Sequence, residues 1–145
     1  LLHEKITNIR KDNLHKISHK LIMENQLIAS ENLKISNMIK NHHLAKSIAD
    51  ASWYELTRQL DYKSVWYGRM YVKIGTYYPS SQICNCCGFK NPITKDLTVR
   101  DWTCPQCGTY HDRDENAADN NLAEGKRIVK TRKATSHSDE FQIAL

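Results

Sequence analysis

The chain has 145 residues and a formal net charge of +5, with 21 lysines and arginines against 16 aspartates and glutamates. That length is sufficient for one domain with a real apolar core. No run approaches the roughly 18 consecutive apolar residues of a transmembrane helix, and the charged N-terminus does not follow the plan of a signal peptide. We therefore expect a cytoplasmic protein with no membrane partner. The modest basic excess is compatible with a nucleic-acid partner and with an ordinary solvated surface.

Residues 2 to 24 predict an amphipathic helix, because apolar side chains recur there at intervals of three and four. The sequence begins without Met and inside this helix, so we expect further residues of a larger protein to precede it. The opposite face is basic, and three of its residues are candidate phosphate contacts: Arg10, Lys16 and Lys20. A solvated helix face is an equally good interpretation of that charge.

Two strands and a second helix are predicted next. The apolar run at 26–30 lacks helical periodicity, which predicts a buried strand ending at Glu31. A helix is predicted from about residue 43 to 67, and its two apolar stripes indicate burial on two sides. Residues 70–74 alternate as in a strand. Two strands are too few for a free-standing sheet, so we expect something else to pair with them.

Four cysteines form a CxxC pair that is repeated after sixteen residues: Cys84, Cys87, Cys104 and Cys107. This spacing is typical of a tetrahedral four-cysteine zinc site. A glycine follows each pair and can adopt the tight turn that directs backbone amides at a metal-bound sulfur. Cys86 is an alternative ligand, but only Cys87 keeps both the spacing and the following glycine. Disulfide pairing is the alternative for the whole set, and a cytosolic location disfavours it.

The composition beyond Asp114 predicts a helix to about residue 130, with Asp114 as its N-cap and cations near its end. From about Thr131 the sequence is polar and aperiodic, so we expect a mobile tail. Judged on the residues alone, Glu31 is a solvated loop acid and Asp114 is a helix cap.

Several motifs in succession resemble the TnpB family of transposon-encoded RNA-guided DNA nucleases, which are related to type V CRISPR effectors. The similarity extends from about Leu2 to Lys126, and the motifs are SENL, KNHHLAKSIADASW, YPSSQIC, CNCCG, RDWTCPQCG and HDRDENAADN. The resemblance implies an α/β fold that is part of a RuvC-like, RNase H-type nuclease domain, interrupted by a four-cysteine zinc ribbon. The implied organisation is a RuvC-like part at 1–78, the ribbon at 79–110, a RuvC-like third acidic motif and helix at 111–130, and a flexible tail at 131–145.

The resemblance also implies roles for two carboxylates. The second acidic motif of the family is a glutamate that closes a buried strand, which matches Glu31, and the third is the aspartate of DxNAA, which matches Asp114. Both would ligate catalytic Mg²⁺, a cation that prefers oxygen ligands. Asp112 is a candidate alternative ligand or a solvated residue. Arg100 and Arg113 are candidate contacts to nucleic acid.

The sequence departs from the family pattern in three places. It has no match to the first acidic motif, Asn32 stands where a second acid is usual, and Asn121 stands where an apolar residue is usual. We therefore expect this chain to contribute two of the three metal-binding carboxylates of an RNA-guided DNA endonuclease. An N-terminal portion or a separate chain would complete the nuclease domain. The isolated chain is expected to be inactive, because even a small misplacement in such a site costs about two orders of magnitude in rate.

The expected partners are DNA and guide RNA, and the expected location is the nucleoid. The alternative is that the chain is a transposon-derived zinc-ribbon module without nuclease activity, which binds nucleic acid or has a regulatory role.

Overall fold

A computed structural model describes residues 2–33 and 52–140, with side chains up to residue 132. The helices and strands in chain order are α1 (Leu2–Glu24), β1 (Leu27–Glu31), α2 (Trp53–Trp66), β2 (Met70–Ile74), β3 (Asp101–Thr103), β4 (Tyr110–Asp112) and α3 (Arg113–Glu140). Strands β1 and β2 form one two-stranded sheet, and β3 and β4 form another. The described residues thus have the mixed helix and strand content that the sequence predicts.

Most predicted bounds agree with the structure. Helix α1 and strand β2 span the predicted residues, and β1 ends at Glu31 as predicted. The prediction that β1 is buried is wrong, because its first four residues are half-buried and Glu31 is exposed. Helix α2 begins at Trp53, and the earlier part of the predicted second helix lies outside the described residues. The KNHHLAKSIAD segment of the family motif lies outside them as well.

Helix α3 is longer than predicted, because it continues through Glu140. The polar residues after Thr131 include good helix formers such as alanine, lysine and arginine. The Thr131 hydroxyl donates to the Arg127 carbonyl at 3.0 Å, one turn back along the helix. The predicted end of this helix near residue 130 is therefore wrong, whereas the mobility of the tail and the four domain bounds stay predictions.

The chain divides into two compact units, of which the first comprises Leu1–Ile28 and Asn32–Tyr71. In this unit α1 packs against α2 through a contact made largely of polar side chains. The Ser18 hydroxyl donates to Gln59 Oε1 at 2.8 Å, and the Lys63 ammonium donates to Ser18 Oγ at 2.7 Å and to the His15 carbonyl at 2.9 Å. Ile22 and Leu60 are the apolar residues buried beside them.

This contact differs from the predicted apolar stripes. The apolar stripe predicted for α1 consists of Leu2, Ile6, Ile9, Leu14, Ile17 and Leu21. Leu2 is 71% exposed and Ile9 is 53% exposed, and Ile22, which is not in that stripe, is the buried apolar residue of the helix. The second stripe predicted for this helix (Leu44, Ile48 and Ala51) lies outside the described residues, so burial of the helix on two sides stays a prediction. Apolar periodicity shows which face of a helix favours burial, but the neighbouring elements decide which face is covered.

The second unit comprises Ala29–Glu31 and Val72–Leu145. Its apolar core in the cysteine segment consists of Cys84, Trp102 and Cys104. Helix α3 approaches the strands very closely at Gly125, where an added Cβ would lie 2.8 Å from Ala29 Cβ. A glycine inside a helix is unfavourable by about 1 kcal/mol relative to alanine, so this close approach accounts for its presence.

Candidate zinc ribbon and carboxylate sites

The two CxxC turns have the same backbone geometry. The N–H of Gly88 donates to the Cys84 carbonyl at 2.8 Å, and the N–H of Gly108 donates to the Cys104 carbonyl at 2.9 Å. Both glycines adopt the left-handed region, with φ of +79° and +73°. In each turn the first cysteine's N–H donates to the carbonyl of the residue that follows the glycine, at 2.8 Å. The repeat seen in the sequence is therefore a structural repeat.

These turns bring four sulfurs together. The Sγ atoms of Cys84, Cys87, Cys104 and Cys107 all lie within 4.8 Å of one another. The Sγ distance is 3.7 Å between Cys84 and Cys107 and 3.6 Å between Cys87 and Cys104, which is too long for a disulfide bond. Zinc–sulfur bonds of about 2.3 Å place tetrahedral ligand atoms about 3.8 Å apart, so the cluster fits a metal such as zinc. Cys86 is exposed and lies outside the cluster.

Local donors distinguish the sulfurs. The Thr109 hydroxyl, 3.2 Å from Cys107 Sγ, and the Thr109 backbone N–H lower the pKa of Cys107 to about 6. Burial raises the pKa of Cys84, because desolvation disfavours a thiolate. Metal ligation requires the thiolate form of cysteine. Formation of the Cys84 thiolate therefore depends more on hydrogen-bond donors and on the bound cation than formation of the Cys107 thiolate does.

His111 contacts Cys84, and the sequence did not predict this contact. Its Nε2 lies 3.0 Å from Cys84 Sγ, and the residue is 5% exposed. The imidazole faces Trp102, its cross-strand partner in the pairing of β3 with β4, at a ring distance of 4.7 Å. In both three-residue strands only the middle residue is buried, so strand alternation could have indicated that Trp102 and His111 point inward.

Two asparagines of α3 clamp the segment that leads into the first CxxC turn. Asn116 Nδ2 donates to the Ile83 carbonyl at 2.7 Å, and its Oδ1 accepts from the Asn85 N–H. Asn120 Nδ2 donates to the carbonyls of Ser80 and Ile83 at 2.8 and 2.6 Å. Both asparagines are at most 5% exposed. The sequence does contain a signal for this contact: Asn116 and Asn120 are poor helix formers, and their spacing of four residues places them on the same face of the helix.

Glu31 ends β1 and is held by two donors. The Ser80 hydroxyl and the Asn121 amide donate to its Oε1 at 2.9 and 3.1 Å. Asn121 is one of the departures from the family pattern, and here it binds the predicted catalytic glutamate. Glu31 itself is exposed, so a ligand can reach it.

Asp112, and not Asp114, caps α3. Asp112 Oδ1 accepts hydrogen bonds from the N–H groups of Asp114 and Glu115 at 2.8 and 3.0 Å. The cap is displaced because β4 ends at Asp112 and the helix begins directly at Arg113. The side chain of Asp114 is 82% exposed, and Arg100 Nη1 lies 3.9 Å from its Oδ2. Asp114 is therefore available to a cation.

The predicted nucleic-acid contacts have different surroundings. Arg100 is 74% exposed, whereas Arg113 is half-buried and its Nη1 donates to the Leu97 carbonyl at 3.3 Å. On α1, Arg10 is exposed, and Lys16 and Lys20 have carboxylates one turn away, at 2.6 Å from Asp12 and 4.0 Å from Glu24. Ion pairing thus offsets part of the positive charge on the basic face of α1.

Among the described residues, no helix combines the length and apolar composition needed to cross a bilayer.

Residues 53–121 match the family model of the Cas12f1-like TNB domain. The chain is 49% identical over 124 residues to a protein of Streptomyces pristinaespiralis named "Putative RNA-guided DNA endonuclease", covering 86% of this chain and 30% of that relative. InsQ of Escherichia coli K12, named in the same words, is 34% identical over 143 residues, with coverage of 88% and 35%. TnpB-like protein L79 of Acanthamoeba polyphaga mimivirus is 32% identical over 130 residues, with coverage of 85% and 24%.

The fold is similar to Cas12f1 in a cryo-EM structure of a Cas12f1–sgRNA–target DNA complex, with a TM-score of 0.63 and 20% identity. That match covers 83% of this chain and 35% of the other. The chain thus has a Cas12f1-like fold, and it carries a cysteine cluster that fits a metal such as zinc. The chain belongs to the TnpB family, as the resemblance predicted, and it spans about a third of the length of the first two relatives.

Proposed function

We propose that this chain contributes Glu31, Asp114 and the zinc ribbon to a TnpB-like RNA-guided DNA endonuclease. In this proposal residues 1–78 and 111–130 are parts of a RuvC-like domain, and 79–110 is the inserted ribbon. The family membership and the Cas12f1-like fold support it. A region that precedes these residues, or a separate chain, supplies the first acidic motif, because the 145 residues contain no match to it.

The contact between Glu31 and Asn121 is the observation that carries the proposal. Asn121 and Asp114 are seven residues apart on α3, which is two turns, so they lie on the same helix face about 10 Å apart along the axis. Through its hydrogen bond with Asn121, Glu31 therefore contacts the face of α3 that also carries Asp114. Of the two alanines on the turns between them, Ala118 is exposed and Ala117 is half-buried.

The donor set fits a hard divalent cation. Glu31 and Asp114 offer carboxylate oxygens, the ligand type that Mg²⁺ prefers. Divalent ions bound there would polarise the scissile phosphate and activate the attacking water. Ser80 and Asn121 hold the Oε1 atom of Glu31, and such supporting hydrogen bonds orient a ligand.

Arg100 and Arg113 flank the proposed cation site. Arg100 reaches the Asp114 carboxylate through an exposed contact of 3.9 Å, so a cation can displace it at little cost. The displaced guanidinium then offers its donors to a nucleic-acid phosphate. The backbone N–H of Arg113 donates to the Arg100 carbonyl at 2.8 Å, which fixes the start of α3 against the ribbon.

The partners in this proposal are target DNA and a guide RNA. Base pairing with the guide reads most of the target in such systems, while protein side chains bind the backbone. Arg10, Lys16 and Lys20 are the proposed phosphate contacts on α1. Binding that depends on phosphates should weaken with salt, with a slope of about 0.7 to 0.9 per neutralised phosphate in a plot of log affinity against log salt. Activity on DNA implies a location at the nucleoid.

The test uses the full-length protein with its guide RNA, Mg²⁺ and target DNA. Asp114→Asn and Glu31→Gln should each reduce cleavage by at least two orders of magnitude. Asp112→Asn is the matched control, because asparagine caps a helix as well as aspartate does and the same charge is removed. Equal cleavage by the Asp114→Asn and Asp112→Asn proteins would refute the site.

The 145 residues by themselves should not cleave single-stranded or duplex DNA with Mg²⁺ or Mn²⁺. Cleavage by this chain that Glu31→Gln abolishes would contradict that expectation. A full-length protein that binds guide RNA and DNA but never cuts would instead identify a nuclease-dead binding or regulatory module.

A further inference from the structure

His111 lies where it can act on the cysteine cluster without being one of its ligands. Its Nε2 is 3.0 Å from Cys84 Sγ, a hydrogen-bond distance. The compact group of ligand atoms consists of the four cysteine sulfurs and does not include His111. We propose that His111 donates its Nε2–H to the metal-bound Cys84 thiolate and acts as a positioning residue of the zinc site. This proposal does not rest on the nuclease assignment.

Cys84 needs such a donor because of its surroundings. It is 1% exposed, whereas Cys87 and Cys107 are exposed and can receive hydrogen bonds from water. A zinc ion with four thiolates carries a net charge of −2, and burying negative charge without donors is costly. A second side chain aimed at a sulfur, the Thr109 hydroxyl, serves the exposed Cys107. Of the two buried cysteines, Cys84 and Cys104, Cys84 has the buried imidazole within hydrogen-bond distance of its sulfur.

The imidazole is held in place by Trp102. Trp102 faces it across the β3–β4 pairing at a ring distance of 4.7 Å, and both side chains are buried. The ring therefore needs no reorganisation when a metal binds. The neutral Nε2–H tautomer and the imidazolium both donate from Nε2, so the interaction does not require a change of protonation.

The hydrogen bond also links parts of the ribbon that are distant in sequence. Cys84 begins the first CxxC turn, and His111 lies in β4, after the second turn. His111 is adjacent to Asp112, the cap of α3. Metal binding at Cys84 would therefore fix the strand from which α3 starts.

Zinc affinity of the whole chain provides the first test. Loss of a hydrogen bond to a ligand typically lowers metal affinity roughly 10- to 100-fold. His111→Phe keeps a ring against Trp102 but removes the donor, so its zinc affinity should fall by that factor in competition with a chromophoric chelator. His111→Gln retains an N–H donor and should recover part of the loss. Trp102→Phe keeps the donor, and its affinity should change less than that of His111→Phe.

A spectroscopic test does not depend on how well the variants fold. In the unmodified chain loaded with ¹¹³Cd, the His111 Hε2 proton should show a scalar coupling to the metal through the Cys84 sulfur. Thr109→Val should leave that coupling in place. Absence of the coupling, or a zinc affinity of His111→Phe equal to that of the unmodified chain, would overturn the proposal.

Discussion

The cysteine ribbon and the α1–α2 helix pair are stabilised in different ways. The ribbon has a small apolar core and four sulfurs within 4.8 Å of one another, so a metal can supply its folding free energy. The helix pair has no cluster of metal ligands among its described residues, and its contact includes the buried polar residues Ser18, Gln59 and Lys63. Local sequence specifies the first arrangement, whereas the second depends on side chains that meet across more than forty residues of sequence.

The largest effect should follow removal of a buried sulfur from the ribbon. Cys84→Ser should abolish stable zinc binding, because structural zinc contributes about 10 to 16 kcal/mol in small zinc-binding peptides. Cys86→Ser is the matched control and should retain zinc at one per chain, because Cys86 lies outside the cluster. Zinc content and amide protection in β3 and β4 measure the result. Equal zinc content in the two variants would disprove the ligand assignment.

The helix pair should respond to a change at Lys63 instead. Lys63→Ala should destabilise the fold by about 1 to 3 kcal/mol in urea unfolding, because it removes buried hydrogen bonds to Ser18 and His15. Lys63→Met keeps the aliphatic stem and should cost less. A Lys63→Ala protein as stable as the unmodified chain would show that the polar contact contributes nothing.

Lys63 also gives the helix pair a pH dependence. Burial lowers its pKa below the ordinary value of 10.5, so between the two values the unfolded chain binds more protons than the folded one. Stability relative to Lys63→Met should therefore rise as pH increases toward 10.5. Urea unfolding of both proteins at several alkaline pH values measures the difference, and a constant difference would contradict the effect of burial.

A smaller effect is expected at Gly125, where packing rather than metal holds α3. Gly125→Ala places a Cβ 2.8 Å from Ala29 Cβ, and overpacking typically costs about 1 to 3 kcal/mol. The better helix propensity of alanine offsets about 1 kcal/mol of that, so a net loss of about 1 kcal/mol is expected. Adding Ala29→Gly should relieve the clash. A stabilised Gly125→Ala protein would show that the helix has room to shift.

The smallest effect concerns Glu55 on the surface of α2. Hydrogen bonds from Arg58 and Gln59 lower the pKa of Glu55 to about 2. The stabilisation is fully present above the ordinary value of 4.5 and is lost as pH falls through about 2. A partly exposed pair of this kind contributes about 0.3 to 0.5 kcal/mol. Carboxyl carbon shifts followed by NMR during acid titration measure the pKa, and Arg58→Gln should raise it.

The sequence also predicted much of the local structure. The bounds of α1 and β2 follow from side-chain periodicity, because each pattern is complete within its own segment. The grouping of Cys87 with the other three ligands follows from its spacing and from Gly88, which determine one turn of backbone. The identities of Glu31 and Asp114 as candidate ligands came from family motifs, since neither residue is distinctive alone.

Only the tertiary structure decided which partners these residues have. Asp112 caps α3 in place of the predicted Asp114 because β4 ends at Asp112. The contact of Asn121 with Glu31 joins residues that are ninety positions apart in the sequence. His111 reaches Cys84 because two strands pair in one particular register. Periodicity and spacing describe one segment at a time, whereas hydrogen bonds between distant segments form only when the fold brings their atoms within about 3 Å.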